Sequence, residues 1–264
     1  MTIVVFVKIT PDTARLGADP RSGEPRIQQA PCRISTFDEN ALEEAVRLAE
    51  AHGGRVIVIS LSHAAPPREL LLKALAMGAD EIRMITDPSA READALATAT
   101  ILSRALRLLG DFDVALCGEG SIDEYGRQVG PRIAEAMGMP VVTRVVKAEA
   151  GTGTFVVDRV LEDRIETVEA RLPVLLTVGA EINQPRLPTV LQILGASRKP
   201  IIEWSLADLG FEKGSVAAMA GVRTIEINAP GDDRQGALIP GESAVEMAGN
   251  LAHELAVKGL AGSR

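Results

Sequence analysis

The chain has 264 residues, 46% of them hydrophobic and only 3% aromatic, so a sizeable and mostly aliphatic core is expected. Its 28 basic and 36 acidic residues give a formal net charge of −8, and no Lys/Arg-rich run stands out, which argues against general nucleic-acid binding. Two cysteines and three scattered histidines form neither a disulfide framework nor a metal-ligand spacing, so no metal site is predicted.

Apolar runs alternate with helical patterns over the first half of the chain. The predicted elements are, in chain order, a strand at 3–7, a loop or small hairpin at 11–31, a helix at 38–50, a strand at 56–60, a helix at 68–77, a strand at 82–85, a helix at 93–109, a strand at 114–117 and a helix at 128–137. Thr36 and Glu39 have the spacing of a capping box before the first helix. Alternation of this kind predicts parallel strands joined by right-handed crossovers. The first apolar run is too short to cross a bilayer and has no basic leader, so we expect a cytoplasmic protein.

The pattern changes after residue 139. The later predicted elements are strands at 141–146, 154–161 and 165–170, a buried strand at 173–178, a short helix within 185–195, an extended arm at 201–223, a polar turn-rich segment at 232–241 and an amphipathic helix at 244–257. Three strands separated by charged or Gly-rich breaks are typical of an antiparallel meander, and the apolar run after them is expected to re-enter the main sheet. The pattern of the last helix fits packing on another chain as well as packing on its own domain. The predicted fold is therefore α/β, with a doubly wound, mainly parallel sheet, an antiparallel β extension and a C-terminal arm that ends in a helix.

Polar residues follow several predicted strands, at the positions where open α/β sheets bind their ligands. Lys8 follows the first strand, Ser35 and Thr36 precede the first helix, and Ser62 follows the next strand. Four loops are therefore expected to converge on one crevice, the fourth being the glycine-rich loop at 117–131.

That glycine-rich loop lies between a predicted strand and a predicted helix. Backbone N–H groups and the helix dipole at such a helix mouth favour an anion, and we expect a nucleotide phosphate. Asp123 suits a ribose hydroxyl or backbone N–H groups, and Arg127 can meet a phosphate oxygen. The loop is neither a P-loop nor a Gly-x-Gly-x-x-Gly dinucleotide motif. Since no nucleophile or acid–base set accompanies it, binding or cofactor carriage is favoured over turnover, and no catalytic residue is predicted.

Six ordered blocks of the chain, at 7–13, 37–48, 74–80, 121–131, 166–177 and 183–186, resemble the β subunit of electron transfer flavoproteins. The first reads Val-Lys-Ile-Thr-Pro-Asp-Thr, and the fourth is similar to the nucleotide loop of that family. The resemblance covers roughly residues 1–210. It implies an adenine nucleotide α-hydrolase-like fold that binds AMP in ordinary members and a second FAD in electron-bifurcating members. It also implies an electron carrier rather than an enzyme, in a heterodimer whose α subunit holds FAD. Electrons would pass from acyl-CoA dehydrogenase-type donors, as in fatty acid oxidation, to a quinone oxidoreductase or another acceptor.

The resemblance assigns residues position by position. The nucleotide site would comprise Phe6, Lys8, Ser35, Thr36, Asp38, Ser62, Asp123, Gly126, Arg127, Gln128, Val129 and Gly130. Thr13 and Phe37 would face the FAD of the α subunit. Partner recognition would involve Arg186, Leu187, Val190 and Leu191, with Val190 as the apolar knob. Residues 1–200 would form the nucleotide-binding domain, with a β meander at 140–171 and a recognition loop at 183–197, and residues 201–264 would form an arm and a helix on the partner subunit.

The chain departs from the family patterns within the nucleotide loop. Gln-Val-Gly-Pro at 128–131 looks like bifurcating members, but Asp-Glu-Tyr-Gly at 123–126 replaces their Asp-Gly-Asp-Thr. Arg127 replaces the Asn of AMP-binding members. Tyr125 and Arg127 would crowd a dinucleotide, so AMP is the expected ligand and a second FAD is the alternative. A stand-alone adenine-nucleotide-binding module or a hydrolase is less favoured, because no Ser-Gly-Gly-x-Asp-Ser loop follows the first strand.

Overall fold

The strands and helices follow the predicted alternation in a computed structural model that describes residues 1–19, 21–212, 214–229 and 236–260. Within these residues the strands are β1 (Thr2–Phe6), β2 (Ile9–Pro11), β3 (Cys32–Ile34), β4 (Arg55–Ser62), β5 (Glu81–Thr86), β6 (Val114–Gly118), β7 (Val141–Ala150), β8 (Thr154–Val160), β9 (Ile165–Arg171), β10 (Val174–Val178) and β11 (Ile201–Trp204). The helices there are α1 (Thr36–His52), α2 (Arg68–Met77), α3 (Ala95–Leu109), α4 (Val129–Met137), α5 (Val190–Ala196), α6 (Ser215–Met219) and α7 (Ala244–Val257).

Nine strands form one sheet in the order β11-β5-β4-β1-β6-β10-β7-β8-β9 within the described residues. Neighbours from β11 to β7 are parallel, whereas β7, β8 and β9 pair antiparallel. The predicted α/β fold with an antiparallel extension is therefore confirmed. The predicted buried strand re-enters the main sheet as β10, between β6 and β7. A separate two-stranded sheet of β2 and β3 corresponds to the small hairpin expected near residues 11–31.

Helices cover both faces of the sheet, which explains why its central strands are almost continuously apolar. Side chains alternate along β1, so Ile3 and Val5 pack in the core that includes α1 and α2. Val4 and Phe6 pack in the opposite core, which includes α3 and α4. The carboxyl end of β1 is thus packed on both faces of the sheet, which fixes the place at which the following residues begin.

Two local predictions were wrong. The first helix begins at Thr36 rather than at residue 38, and its N-cap, Ser35, makes no side-chain capping bond. The predicted capping box is therefore absent, because Thr36 already lies inside the helix. The extended arm predicted at 201–223 contains β11, which pairs with β5, and α6, whose Val216 is buried in the core. Neither element was predicted from the sequence, because the short apolar runs in this region have no clear period.

Residues 1–227 form one compact unit, and residues 228–264 form a second unit that is described by itself. In the second unit α7 confirms the predicted last helix, and Ser243 caps it by accepting a hydrogen bond from the N–H of Glu246 at 3.2 Å. The apolar residues Met247, Leu251 and Leu255 of α7 are exposed. The turn-rich segment predicted at 232–241 lies partly outside the described residues. No helix in the described part of the chain is both long and apolar enough to cross a membrane.

Candidate functional site

The predicted strand-end residues meet at the carboxyl edge of the parallel sheet. β4, β1, β6 and β10 are consecutive neighbours with the same direction, so their carboxyl ends share one edge. Lys8 follows β1, and the nucleotide loop, residues 119–128, follows β6. The fold therefore brings Lys8 to a loop more than 110 residues away in the sequence.

Lys8 and Asp123 form the charged centre of this edge. The ammonium nitrogen of Lys8 lies 2.8 Å from Oδ2 of Asp123 and 3.0 Å from Oδ1, and it donates to Oγ of Ser121 at 3.4 Å. Partial burial opposes ionisation of Asp123, but the charge of Lys8 and hydrogen bonds from Lys8, Ser121 and Thr10 outweigh it and lower the pKa of Asp123. Lys8 remains 41% exposed, so its ammonium can reach an incoming anion.

Asp38 ties the two central strand ends together. Its Oδ2 accepts from the backbone N–H of Lys8 and its Oδ1 from that of Gly118, both at 2.8 Å. Burial raises the pKa of Asp38 from its ordinary 3.8 to about 7, against the opposing effect of these two N–H donors and of Lys8. Gly118 allows the close approach, since a Cβ there would lie 2.5 Å from Cβ of Phe37. Both carboxylate oxygens are engaged by the protein itself, which indicates a positioning role for a residue predicted to bind the cofactor.

Two buried hydroxyl groups near these strand ends have no hydrogen-bond partner. Oγ of Ser35 and Oγ of Ser60 are both buried and unpaired. Leaving a buried hydroxyl unpaired costs about 1 to 3 kcal/mol, so such atoms indicate a place for a ligand or a water molecule. Ser35 immediately precedes α1 and was predicted to bind the nucleotide. Its free hydroxyl fits that prediction.

The outer part of the nucleotide loop is held by a polar and aromatic cluster of Glu119, Tyr125 and Arg127. The O–H of Tyr125 donates to a carboxylate oxygen of Glu119, and Arg127 donates to the phenol oxygen at 2.6 Å. The guanidinium carbon of Arg127 lies 4.3 Å from the centre of the Tyr125 ring. That ring also packs against Phe37, with the ring centres 5.4 Å apart. Phe37, which was predicted to face the α-subunit FAD, therefore contacts the nucleotide loop through Tyr125.

The start of α4 has no side-chain cap. Gln128 is the N-cap residue but makes no capping bond, because its amide oxygen accepts from the guanidinium of Arg132 at 2.9 Å. Gly130 packs the helix tightly on the sheet, since a Cβ there would lie 2.8 Å from Sγ of Cys117 and from Cγ2 of Thr177. N–H groups in the first turn of a helix attract anions. Arg127 directly precedes Gln128 at the start of this helix, and the phosphate site predicted here stays a prediction.

Other predicted site residues lie at varied depths. Phe6 is buried in the core, whereas Thr13 and Gly126 are exposed, and Thr36 and Ser62 are partly buried at the ends of their elements. Sequence reasoning did not select Ser121, Glu119 or Tyr125 as binding residues. Their place in the nucleotide loop was a signal for Ser121, but the contacts of Glu119 with Tyr125 depend on the folded loop.

The recognition segment, residues 183–197, is anchored on α1 by a buried polar network. Arg186 donates from Nε to Oε2 of Glu43 at 2.8 Å and from Nη1 to Oε1 of Glu50 at 2.6 Å. Glu43 is only 2% exposed, and its desolvation is outweighed by hydrogen bonds from Arg186 and Arg47, which lower its pKa. Asn183 and Asn40 also exchange hydrogen bonds. The positive charge of Arg186 is therefore paired with two carboxylates of the same chain.

Beyond this anchor the recognition segment exposes its apolar side chains. Leu187, Val190 and Leu191 are 90%, 72% and 80% exposed. Thr189 and Gln192 form a capping box that starts α5, and Ala196 is buried. A short helix with a fixed stem thus presents a cluster of apolar side chains to solvent, and their predicted role in partner recognition stays a prediction.

Comparisons with known proteins agree on one family. The family model described as the electron transfer flavoprotein domain matches residues 27–209. A Thermoanaerobacterium thermosaccharolyticum protein named electron transfer flavoprotein subunit beta is 37% identical over 243 residues, covering 91% of this chain and 93% of the relative. A protein of the same name from Clostridium acetobutylicum is 40% identical over 218 residues, covering 82% and 83%. The Caffeyl-CoA reductase-Etf complex subunit CarD of Acetobacterium woodii is 32% identical over 259 residues, covering 98% and 99%.

Proposed function

The chain belongs to the electron transfer flavoprotein family as a β subunit, and on that premise we propose that it binds AMP at the carboxyl edge of its sheet and helps an α subunit to hold FAD. In this proposal the heterodimer receives electrons from acyl-CoA dehydrogenase-type flavoenzymes and passes them to a quinone oxidoreductase or another acceptor. The β subunit is an electron-carrier subunit and performs no bond-making chemistry of its own. A cytoplasmic location remains a prediction.

The observation that carries the proposal is the contact of Lys8 with Asp123 of the nucleotide loop, which leads from β6 to the uncapped start of α4. Lys8 supplies an exposed cation for a phosphate, and Asp123 supplies acceptors for a ribose hydroxyl. The unpaired hydroxyl of Ser35 provides one further polar group. These groups fit a nucleotide without any nucleophile or general base, as expected for a ligand with a structural role.

The FAD of the α subunit supplies the electron-transfer chemistry when it is bound. Residues of this chain would contribute position: Phe37 through its ring, which is backed by Tyr125, and Thr13 through its exposed side chain next to Asp12. Asp38 keeps the start of α1 at the strand ends and so keeps Phe37 in place.

A second candidate function is that of a β subunit in an electron-bifurcating flavoprotein, with a second FAD instead of AMP. Two observations favour it: the Gln-Val-Gly-Pro sequence at 128–131 and the relative named as a subunit of a caffeyl-CoA reductase–Etf complex. The exposed apolar face of the recognition segment serves either candidate, since both need a surface for an electron-transfer partner.

The test is the nucleotide content of the purified heterodimer. The chain is produced together with its α subunit, the complex is denatured, and FAD and AMP are quantified by chromatography. One FAD and one AMP per heterodimer support the main proposal, and two FAD without AMP support the second candidate. A complex without flavin contradicts both, and ATP turnover by this chain alone would favour the stand-alone nucleotide-binding alternatives.

A pair of lysine variants locates the nucleotide. Lys8→Met is expected to lower the AMP content without changing the FAD held by the α subunit. Lys147→Met is the matched control, because Lys147 is also exposed and ion-paired, with Glu149 at 2.8 Å, but lies in the part of β7 that pairs with β8. Equal AMP content in the two variants would contradict the assignment of the site.

We propose two contact surfaces for partners. Leu187, Val190 and Leu191 contact the electron donor, with Val190 as the knob and Arg186 holding the stem. The exposed helix α7 packs on the α subunit. Deletion of the residues after about Pro230 is expected to weaken the heterodimer, as measured by its dissociation constant. Val190→Asp is expected to slow electron transfer without weakening the heterodimer.

A further inference from the structure

The recognition segment begins at a pair of asparagine side chains that joins it to α1. Nδ2 of Asn40 donates to the backbone oxygen of Asn183 at 2.8 Å, and Nδ2 of Asn183 donates back to the backbone oxygen of Asn40 at 3.0 Å. Nδ2 of Asn183 also donates to Oε2 of Glu44 at 3.0 Å. Asn40 and Glu44 are 4% and 8% exposed, so these bonds are shielded from water. A buried polar network of this kind rigidifies the chain that it joins.

The far end of the recognition segment is fixed on a different helix, α2. Lys199, two residues after the segment, donates from its ammonium to the backbone oxygens of Leu75 and Ala79 at 3.1 and 2.6 Å. These oxygens belong to the end of α2 and the turn after it, where unpaired carbonyl groups attract a cation. Ala196, at the end of α5, is buried in the core that includes α1 and α2. The segment is therefore attached at both ends, to two neighbouring helices.

Between these two attachments the segment exposes its apolar side chains. Besides Leu187, Val190 and Leu191, the side chains of Ile193 and Leu194 are 54% and 65% exposed. Side chains that are more than half exposed make few contacts that could fix their own positions. Their arrangement therefore depends on the attachments at the two ends of the segment.

We propose that Asn40, Asn183 and Lys199 are positioning residues that hold the recognition segment in its docking shape before an electron donor arrives, an inference that rests on the donor contact proposed above. A segment that is already ordered loses less conformational entropy when a partner binds, so its affinity is higher. Without the attachments only a fraction of the molecules has the docking shape, and the apparent dissociation constant rises by the inverse of that fraction. Since α1 also carries Phe37, one turn before Asn40, the same attachment fixes the docking surface relative to Phe37.

The first measurement is the distance distribution between two nitroxide labels, which requires no donor. The labels are attached to Val190→Cys in α5 and to Leu108→Cys in α3, on the opposite face of the sheet, in a heterodimer whose exposed Cys32 is replaced by serine. Pulsed electron paramagnetic resonance is expected to give one narrow distribution for this parent form. Asn183→Ala and Lys199→Met are each expected to broaden it, and the double variant most. An unchanged distribution in the double variant would refute the proposal.

The second measurement is the reduction of unlabelled heterodimers by a donor. The donor is an acyl-CoA dehydrogenase that has been reduced by its acyl-CoA, and its concentration is varied. Asn183→Ala combined with Lys199→Met is expected to raise the KM for the donor about tenfold with kcat unchanged, as for a docking shape that is populated in about a tenth of the molecules. Lys199→Arg keeps a cation at the end of α2 and is expected to retain the wild-type KM. If the two residues only stabilise the fold, the double variant unfolds at a lower temperature with an unchanged KM.

Lys73→Met is the matched control for Lys199→Met. Lys73 lies in α2, and its ammonium pairs with Glu39 of α1, so this variant removes a lysine bridge between the same two helices. It is expected to leave the distance distribution and the KM for the donor unchanged. An equal rise of KM in Lys73→Met and Lys199→Met would attribute the effect to general destabilisation and refute the positioning role.

The outcomes separate this inference from the proposed function. If the wild type accepts electrons and the double variant keeps both the narrow distribution and the KM, the attachments have no positioning role while the donor contact stands. A broadened distribution with an unchanged KM also refutes the inference, because docking would then not require a preformed shape. If a wild-type heterodimer that holds FAD accepts no electrons from the donor, the proposed donor contact fails and the inference fails with it.

Discussion

The nucleotide loop and the recognition segment both leave the sheet at its functional end, but they are held in different ways. The nucleotide loop depends on ion pairs in which one side chain is well exposed, such as Arg127, which is 52% exposed and lies near Glu119, which is 12% exposed. The stem of the recognition segment depends on Glu43, which is 2% exposed and 143 residues from Arg186 in the sequence. Exposed ion pairs contribute about 0 to 1 kcal/mol, whereas breaking a buried pair costs several. A ligand can therefore reshape the nucleotide loop at little cost, while the recognition stem keeps one geometry.

The largest expected effect concerns Asp38, the buried tie beneath the nucleotide loop. Because burial raises its pKa to about 7, Asp38 is protonated to a larger extent in the folded than in the unfolded chain between pH 4 and pH 7. The contribution of Asp38 to the free energy of unfolding should therefore fall as pH rises through this interval, by up to about 4 kcal/mol.

Asp38→Asn removes the titrating carboxyl group, so the part of the pH dependence of the unfolding free energy that Asp38 contributes should disappear. Urea unfolding of both forms at pH 4, 5, 6 and 7 measures it. If the free energy of unfolding varied with pH in the same way in both forms, Asp38 would not take up a proton in this range. Its surroundings would then be no less solvated than the exposed part of the nucleotide loop.

The next effect concerns the recognition stem. Arg186→Ala leaves the buried carboxylate of Glu43 with Arg47 alone, so the free energy of unfolding should fall by about 3 kcal/mol. Arg186→Lys should recover part of it, because lysine keeps the charge but not the paired hydrogen bonds. Arg47→Ala, at a residue that is 48% exposed, should cost less than about 1 kcal/mol. Equal losses for Arg186→Ala and Arg47→Ala would remove the contrast between stem and loop.

A smaller effect is expected at the mouth of α4. Gly130→Ala forces a methyl group against Cys117 and Thr177, and overpacking of this kind costs about 1 to 3 kcal/mol. Gly126→Ala, in the nucleotide loop before this helix, is the control, since a Cβ there meets nothing within 4 Å. Thermal unfolding should separate the two variants. Similar melting temperatures would mean that α4 can shift away from the sheet.

The smallest effect on stability is expected for the charged centre of the nucleotide loop. Lys8→Met removes an exposed pair with Asp123 and should change the free energy of unfolding by less than about 1 kcal/mol. The same variant should clearly lower AMP content, as described above. A loss of several kcal/mol instead would place Lys8 with the buried stem residues rather than with the adaptable loop.

Much of the fold was predictable because it depends on local patterns. The predicted bounds of α2, 68–77, agree with the structure, since Gly78 ends the helix as expected. The strand at 114–117 and the nucleotide loop after it were found from an apolar run followed by glycines. In contrast, β11 has only four residues and was assigned to an arm, because its sheet neighbour β5 is more than 100 residues away.

The site shows the same division. Lys8 was selected from its place after a strand, Ser35 from its place before the first helix, and Asp123 from the glycine-rich loop. The fold brings Lys8 and Asp123 into contact. The positioning role of Asp38 was missed, because a carboxylate three places after Ser35 looks like an ordinary first-turn residue. The strained φ angles of Tyr125 and Arg127 carry no signal in the sequence, since both residues usually avoid that conformation.

The sequence by itself determined the alternation of strands and helices, the position of the nucleotide loop and the membership of a family. Periodicity and turn residues act between near neighbours, so they can be read along the chain. Only the tertiary structure decided that β10 lies between β6 and β7, that Asp38 joins two strand ends, and that Arg186 forms an ion pair with Glu43. Those outcomes depend on which distant segments are buried together, because a polar group that is removed from water costs free energy unless it forms a hydrogen bond or an ion pair.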